Sequence, residues 1–567
     1  MGRKLLILMV LTCLSGPGCF SQVISPDENL RRIVSQTGQV EVAIPYTDIK
    51  SLEVLTTNAS ILSVKDKVVY ISLSTLTVEW FISQKYDYRM IENVSAKSII
   101  SAVNVTQASQ WDSYPTYSQY DSIMISFAQL YPSICRLDTI GTSVNGKLVL
   151  ALKISDNVRT EEPQPKVFYT STMHGDETGG FILMLHLADY LLKNYSSDNR
   201  VKNIVDNLEI WINPLANPDG TYRNGNTISS PVRYNANGYD LNRNFPDPIT
   251  PNTIKQKETL DMIKFMRKHK FSLSANFHSG SEVVNYPWDR WLSKIHADDS
   301  WFNTISRSYA DTVHVYSGPA YMNMLDNGVT RGALWYVVYG GRQDFMTWEL
   351  HGREVTIELD DQFVTPAAQL PLLWHYNYLS LLGYLENALY GIHGLVRNIN
   401  TQAPVPAKVF ISGHDKDSSE VYSDTLTGSF VRFLPTGSWN LTFSAGGYRD
   451  TTINNVNVVS GQRTDLKVDM SLLTSKIENI TSQSPVILYP NPAKNIISTL
   501  LPDIISGKIN IRIISQTGIL VSDYNSDNVS GIPLNIDINS LAAGTYTAIF
   551  SGFGQRRYYL GRFVVIK

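Results

Sequence analysis

The sequence predicts a large α/β domain that follows a small α+β region and precedes two β-sandwich domains. Between about residues 110 and 389, long helical patterns alternate with apolar strands such as LEIWINP, SLSANFH and EVTIEL, as in an α/β sheet. After residue 391 these helical patterns stop, and short β-type runs recur between Gly, Asn, Asp and Ser, which is typical of sandwich domains. A chain of 567 residues is long enough for several domains.

The chain begins with the layout of a secretory signal peptide over residues 1–21. Two basic residues precede an apolar run from Leu5 to Leu14, and small residues follow, so we expect cleavage before Gln22. Lipid attachment at Cys19 is the alternative. No later segment supplies the roughly 18 consecutive apolar residues that a membrane-spanning helix needs, so no transmembrane segment is expected.

Charge and cysteine content narrow the possible classes of protein. The 48 basic and 51 acidic side chains leave a net charge of -3, which gives no indication of a nucleic-acid partner. Two of the three cysteines leave with the signal peptide, so the exported protein keeps Cys135 and cannot form an internal disulfide. A single cysteine in an apolar run is more typical of a small core residue than of a nucleophile.

Residues 22 to about 105 are predicted to form the small α+β region. The β-type runs VEVAIPY, SLEVL and KVVYISL alternate there, and STLTVEWFISQ predicts a short helix. The central domain is assigned to residues 110–389. In the C-terminal part, the polar stretch TSKIENITSQSP separates two β-rich segments, about 391–472 and about 485–567.

A candidate metal site lies in STMHGDETGG, directly before the apolar run FILMLHLADYLL. His174 and Glu177 are three residues apart there, although a helix start also accommodates acidic residues, so the pair alone is weak. A catalytic zinc site takes three protein ligands and keeps an open position. His278 ends the predicted strand SLSANFH and is therefore the predicted third ligand, whereas His186 and His269 lie in predicted helices.

Two further groups of side chains fit hydrolysis at such a metal. In REVTIELDD, the period-two pattern puts Glu354 and Glu358 on one face of a strand, so either could activate a water, or both could be solvated on an edge strand. The Asn-rich and Arg-rich loop between the first and third ligands carries Arg233 and Arg243. Their planar guanidinium groups suit a carboxylate or an oxyanion, although an isolated arginine is more often a surface residue.

Six short motifs together resemble the zinc metallocarboxypeptidase family, in that family's order and over about 280 residues. The resemblance is to the regulatory branch, with carboxypeptidases N, E and D, more than to the digestive branch. It implies a mixed sheet with helices on both faces. The motifs are HGDE at 174–177, NPDG at 217–220, DLNRNF at 240–245, FHSG at 277–280, WYVVYGGRQDF at 335–345 and EVTIEL at 354–359.

The resemblance implies roles for the metal-binding and catalytic residues. His174, Glu177 and His278 would bind one Zn²⁺ in the catalytic domain. Asp240 would not bind the metal itself but would hold one of the ligand histidines in place. Glu358 corresponds to the family's catalytic base, a choice that the strand pattern leaves open.

The resemblance also implies contacts with the substrate. Asn242 and Arg243 would bind the terminal carboxylate, Tyr336 would close over it, and Arg233 would stabilise the oxyanion. Asp289, in NYPWD, stands where basic-specific members keep an aspartate in the side-chain pocket, which predicts a preference for C-terminal Arg or Lys. The alternative for Asp289 is a turn carboxylate with no part in specificity.

The segments outside the catalytic domain carry resemblances of their own. The runs GIHGLVRNINTQAPVPAKVFISG and GSFVRFLPTGSWNLTFSAGGYRD are similar to the transthyretin-like domain of the regulatory branch. The tail, from YPNPAKN to GRFVVIK, is similar to the C-terminal sorting domains of Bacteroidota, which implies the type IX secretion machinery as a partner and a secreted or cell-surface location. Residues 22–105 fit either a removable prosegment or a permanent domain.

The function implied by the resemblance is a secreted zinc carboxypeptidase that acts on peptide or protein C-termini. Two alternatives stay open on the sequence. One is a zinc peptidase or amidase on the same scaffold that cuts cell-wall peptides, and the other is a non-catalytic binding module. The complete set of predicted ligands, base and carboxylate clamp favours an enzyme over a binding module.

Overall fold

The chain divides into two compact units. The structure is a computed structural model that describes residues 25–46, 49–91, 99, 101–250, 254–473, 483–502, 507–552 and 558–567. The first unit runs to Leu389 and includes Lys416–Ser419, and the second comprises Tyr390–Asp415 and Glu420–Lys567. The predicted signal peptide and most of the predicted linker TSKIENITSQSP lie outside the described residues.

The N-terminal part of the first unit is an α+β region with an apolar core of its own. Its elements are α1 (Pro26–Thr37), β1 (Gln39–Pro45), α2 (Ile49–Asn58), β2 (Ser60–Lys65), β3 (Val68–Ser74), α3 (Val78–Gln84) and β4 (Arg89–Ile91). The helix α1 begins with a capping box between Ser25 and Glu28 and ends at Gly38, which takes a left-handed φ of 83°. The strands form an antiparallel sheet in the order β2-β3-β1-β4.

One predicted strand of this region was wrong. The run SLEVL, residues 51–55, lies within α2. Leu52 and Leu55 are buried, three residues apart, whereas Val54 is exposed. Such a spacing matches one face of a helix, and a run of five residues is too short to separate this period from strand alternation. The short helix predicted in STLTVEWFISQ is confirmed as α3.

An eight-stranded sheet forms the centre of the first unit, and its mixed character confirms the prediction. Its strands are β5 (Cys135–Thr142), β6 (Leu148–Ile154), β7 (Lys166–Ser171), β8 (Glu209–Asn213), β9 (Leu273–His278), β10 (Ser281–Tyr286), β11 (Val329–Arg331) and β12 (Arg353–Asp360). They are ordered β11-β10-β12-β9-β7-β8-β6-β5. The four strands β12, β9, β7 and β8 run parallel to one another, while β6 and β10 pair antiparallel at either side of them.

Helices cover both faces of this sheet. The helices between residues 105 and 386 are α4 (Val105–Ala108), α5 (Tyr117–Leu130), α6 (Gly179–Asn194), α7 (Asn199–Asn207), α8 (Pro218–Thr221), α9 (Lys257–His269), α10 (Asp299–Ser317), α11 (Met324–Asn327), α12 (Gly332–Trp335), α13 (Arg342–Trp348) and α14 (Leu370–Glu386). Neighbouring residues of a strand point to opposite faces. Phe168 packs on Phe265 of α9, whereas the next residue, Tyr169, packs on Tyr384 of α14. The α/β fold class is therefore confirmed.

The second unit is built from β-strands, and its first part has a core of its own. The strands are β13 (Gly391–Asn398), β14 (Lys408–Phe410), β15 (Val421–Tyr422), β16 (Ser429–Arg432), β17 (Gly437–Ser444), β18 (Thr451–Val458) and β19 (Arg463–Met470). They form a three-stranded and a four-stranded sheet. Leu441 and Phe443 of β17 are buried with the period of two that a half-buried strand requires.

The remaining strands of the second unit surround a separate apolar core. They are β20 (Gln483–Pro485), β21 (Ile496–Thr499), β22 (Gly507–Ser515), β23 (Leu520–Asn528), β24 (Leu534–Asp537), β25 (Gly544–Gly552) and β26 (Tyr558–Val565). In β22, Ile509, Ile511 and Ile513 alternate with more exposed residues. The predicted β-rich character of the C-terminal part is confirmed.

Two findings concern the single cysteine and the absence of a predicted membrane-spanning segment. Cys135 is buried, and burial raises the pKa of its thiol to about 12, which suits a core residue rather than a nucleophile. Within the described ranges, no helix combines the length and apolar character that crossing a bilayer would take.

Candidate active site

The three predicted metal ligands come together at one edge of the central sheet. His174 and Glu177 lie in the turn between β7 and α6, and His278 is the last residue of β9. Because β7 and β9 are parallel neighbours, their carboxyl ends meet at the same edge. Tight packing holds the turn, since a Cβ on Gly175 would lie 2.4 Å from the main-chain carbon of Gly220.

The ligand atoms converge as a zinc site requires. The two Nδ1 atoms of His174 and His278 are 3.1 Å apart, and each lies 2.7 Å from one carboxylate oxygen of Glu177. Tetrahedral zinc with bonds of about 2.0–2.2 Å puts neighbouring ligand atoms roughly 3.3–3.6 Å apart, so the set can hold the ion after the ligand atoms move apart by less than about 1 Å. Burial would raise the pKa of Glu177, but the two histidines outweigh it and lower that pKa, which keeps the carboxylate ionised.

The other ring nitrogen of each histidine also has a partner. His174 Nε2 lies 3.0 Å from Asp240 Oδ1, and His278 Nε2 lies 2.6 Å from the side-chain amide of Asn276. The Asp240 carboxylate can accept the Nε2 proton of His174, which fixes the ring orientation and the tautomer of a histidine that binds metal through Nδ1. Asn276, in contrast, approaches His278 with its amide nitrogen. Sequence reasoning missed Asn276, although its position two residues before His278 on the same strand face could have indicated it.

Arg233 links the carboxylate of Glu177, a predicted metal ligand, to Asp240. Its Nε donates to Asp240 Oδ2 at 3.0 Å, and its Nη1 donates to Glu177 Oε1 at 3.1 Å. Burial opposes the ionisation of Asp240, yet Arg233 and His174 hold the pKa of that carboxyl well below its usual range. The guanidinium therefore lies beside the predicted metal position, where an oxyanion would develop.

The two candidate bases on β12 have different surroundings. Glu358 pairs in register with His278, so it lies at the metal end of the strand, whereas Glu354 pairs with Ser274, four residues earlier. Burial and the charge of Glu177 raise the pKa of Glu358 well above its usual value. Its place beside the predicted metal ligands, rather than this shift alone, makes Glu358 the candidate proton acceptor.

Glu354 belongs to a buried ion pair. It is fully buried and lies 3.0 Å from Arg342, which is also fully buried. The interpretation of both glutamates as solvated carboxylates on an edge strand was therefore wrong, because β12 lies between β10 and β9. The period-two pattern cannot show this, since a strand covered by helices on both faces is buried at odd and even positions alike.

The predicted carboxylate clamp lies in the short 3₁₀ turn at Leu241–Arg243. The Asn242 amide N–H donates to Asp240 Oδ1 at 2.8 Å, and Asn242 Oδ1 accepts from the Arg342 amide at 3.0 Å. Burial raises the pKa of Tyr336 to about 12, with Arg243 opposing the shift. Arg243 and Tyr336 are thus close enough to affect each other electrostatically, next to the turn that is anchored on Asp240.

Asp289 is buried among polar side chains rather than at an exposed turn. Its Oδ1 accepts hydrogen bonds from Asn285 at 3.1 Å and from Gln343 at 3.0 Å. The amide oxygens Asn285 Oδ1 and Gln343 Oε1 are buried without a hydrogen-bond partner among the described residues. Position 332 must be a glycine, because a Cβ there would lie 1.8 Å from Asp289 Oδ1. Burial raises the pKa of Asp289 to about 7.

Comparison with protein families identifies two segments of the chain. Residues 120–380 match the model described as zinc carboxypeptidase. Residues 487–557 match the model described as secretion system C-terminal sorting domain. The first match contains every predicted ligand, clamp residue and candidate base, and the second lies in the final β-rich segment.

Curated relatives carry the names of the regulatory branch. Human carboxypeptidase D is 35% identical over 369 residues, which cover 62% of this chain and 26% of that protein, so the chain spans about a quarter of its length. Mouse carboxypeptidase M is 32% identical, with 58% of this chain and 77% of that protein covered. The rat carboxypeptidase N catalytic chain is 32% identical, with 63% and 86% covered. By its sequence relatives, and with a ligand set that fits the metal, the chain belongs to the zinc carboxypeptidase family.

Proposed function

We propose that this protein is a secreted zinc-dependent carboxypeptidase that hydrolyses the last peptide bond of its substrates and prefers C-terminal Arg or Lys. The observation that carries the proposal is the convergence of two histidine Nδ1 atoms and the Glu177 carboxylate within 3.1 Å of one another, beside Arg233. Family membership supports it independently.

The proposed site residues divide the reaction between them. Zinc, when bound to His174, Glu177 and His278, supplies a Lewis acid for the scissile carbonyl and lowers the pKa of water. Glu358 accepts a proton from the attacking water and passes it to the leaving amine, once the charge of Glu177, which favours the protonated form of Glu358, is offset. Arg233 is already oriented by Asp240 and complements the negative charge that develops on the carbonyl oxygen.

Recognition of the chain end is assigned to a second group of residues. Asn242 and Arg243 bind the terminal carboxylate, and Tyr336 closes over it. A planar guanidinium suits a carboxylate because it offers two parallel hydrogen bonds. An exopeptidase needs such a clamp beside the metal, since the free carboxylate distinguishes the last peptide bond from all others.

The preference for basic residues rests on the chemistry of the Asp289 pocket. The Asp289 carboxylate and the amide oxygens of Asn285 and Gln343, its two hydrogen-bond donors, are all acceptors, and neither amide oxygen has a hydrogen-bond partner among the described residues. A guanidinium or ammonium group carries only donors and a positive charge, so it complements this pocket. An apolar side chain would leave the acceptors unsatisfied.

Export is the third part of the proposal. The match of residues 487–557 to a secretion sorting domain supports delivery by the type IX machinery to the cell surface or beyond. We further propose the domain limits 22–105, 110–389, 391–472 and 485–567, with a transthyretin-like domain as the third.

One experiment tests the proposed activity and its specificity together. The purified protein is incubated with a peptide library, and mass spectrometry identifies which terminal residues are lost. Loss of C-terminal Arg and Lys, abolished by a chelator and restored by Zn²⁺, is the expected result. Preferential cutting of purified cell-wall fragments would favour the amidase instead, and zinc binding without turnover of any peptide would favour a binding module.

A further inference from the structure

The N-terminal α+β region contacts the segments that carry the candidate metal centre. Ser60 Oγ, at the start of β2, donates to Asp240 Oδ2 at 2.7 Å. Gln39, at the start of β1, donates from Nε2 to Asp176 Oδ2 at 3.0 Å and accepts at Oε1 from the Arg233 amide at 2.8 Å. All five side chains are buried, so these bonds are shielded from water and strengthened by their surroundings.

Ser60 completes the hydrogen bonding of Asp240. One oxygen of this carboxylate faces His174 Nε2 and accepts from the Asn242 amide, and the other accepts from Arg233 Nε and Ser60 Oγ. An ionised carboxylate has about four acceptor positions, so all of them are used. Because the plane of Asp240 sets the orientation of the His174 ring, Ser60 acts on a metal ligand through one intermediate group.

Gln39 joins two loops of the metal centre. Asp176 lies between the ligands His174 and Glu177, and Arg233 begins the loop that leads to Asp240. The Gln39 amide bridges these two loops, which also meet directly where the Gly175 N–H donates to the Arg233 carbonyl oxygen at 3.2 Å. Removing the amide would leave the buried Arg233 N–H without this acceptor.

We propose that Ser60 and Gln39 are positioning residues of the metal centre, through which the N-terminal region raises the affinity of the site for zinc. The inference rests on the proposed function, because it takes the ligand set to hold zinc. It also assigns the N-terminal region a permanent role, which a segment serving only as a removable cover would not have.

The test measures zinc affinity in the full-length protein rather than turnover. Metal-free wild type, Ser60→Ala and Gln39→Ala are titrated with zinc against a chromophoric chelator of known affinity. The matched controls are Ser35→Ala and Gln36→Ala, on exposed positions of α1. Thermal unfolding of each metal-free protein checks that the variants are folded.

We expect Ser60→Ala to weaken zinc binding by about tenfold, at the lower end of the range for groups that support metal ligands. Gln39→Ala should weaken it by a similar or smaller factor, and both controls should match the wild type. Since Ser60 acts through Asp240, adding Ser60→Ala to Asp240→Asn should cause no further loss.

Three results would overturn the inference. Zinc affinities of folded Ser60→Ala and Gln39→Ala equal to those of the controls would refute it directly. Higher peptidase activity in both variants at unchanged zinc affinity would make the N-terminal region a cover over the site. If the wild type itself bound no zinc, the proposed function would fail, and this inference would fail with it.

Discussion

Replacing Asp289 with asparagine should weaken or abolish the proposed preference for basic C-terminal residues. The substitution keeps the shape of the side chain and removes its charge. Asn285 and Gln343 donate to Asp289 Oδ1, and the amide oxygen of an asparagine can accept the same two hydrogen bonds. The change therefore removes the partner of the substrate cation while leaving the pocket packed.

The size of the effect follows from the interaction that is lost. A hydrogen bond to a charged group contributes about 1.5–3 kcal/mol net. Since about 1.4 kcal/mol corresponds to a factor of ten, kcat/KM for substrates that end in Arg should fall about 10- to 150-fold. Substrates that end in Leu should be unaffected or improved, because the buried carboxylate no longer has to be neutralised.

The assay compares blocked peptides that differ only in their C-terminal residue, Arg or Leu. Asp344→Asn is the matched control, because Asp344 is also a buried carboxylate but accepts from the main-chain amides of Asp289 and Arg290. The control should lower stability and affect both substrates alike. Equal losses on both substrates in Asp289→Asn, or a wild type that already prefers Leu, would make Asp289 a structural residue of the turn.

Four further outcomes are expected. A chelator should abolish activity and Zn²⁺ should restore it, and full activity in the metal-free protein would contradict the zinc assignment. Glu358→Gln should keep zinc but lose turnover by several orders of magnitude. Glu354→Gln should instead lower the free energy of unfolding by about 3–5 kcal/mol, because it breaks a buried ion pair. Measuring kcat and thermal unfolding for both variants distinguishes the two roles. Because burial raises the pKa of Asp289 to about 7, the Arg/Leu ratio of kcat/KM should rise as the pH rises through that value, and should stay flat in Asp289→Asn. Thiol reagents should leave activity unchanged, since the buried Cys135 thiol has its pKa raised to about 12; rapid inactivation would contradict this.

The sequence predicts the fold well where local pattern and global position agree. Alternating helices and apolar strands indicate the central α/β sheet, whereas the helix α1, which begins with a capping box at Ser25, was not predicted. The run SLEVL shows the limit. Leu52 and Leu55 are buried against the core of the N-terminal region, so tertiary packing decides between two periods that five residues cannot separate.

In the candidate site, too, local sequence pattern predicts some residues and tertiary packing brings in the others. His278 stands out because it ends a strand pattern, and His174 and Glu177 stand out because they lie three residues apart directly before an apolar run. Strands that are parallel neighbours then bring these residues together. No local pattern indicates Ser60 or Gln39, which reach the site from strands more than a hundred residues away in the chain. Asn285 and Gln343 are likewise recognisable only once the pocket around Asp289 is formed.

Glu354 and Glu358 illustrate why environment rather than residue type decides a role. They share one strand, yet Glu354 is paired with Arg342, and burial raises the pKa of the glutamate while it lowers that of the arginine. Separating this pair would leave an unpaired charge in the core, so Glu354 is constrained to a structural role. Burial and the negative charge of Glu177, at the metal end of the strand, favour the protonated form of Glu358. A zinc ion bound by Glu177 would offset that charge, so metal binding should itself make Glu358 available as a base.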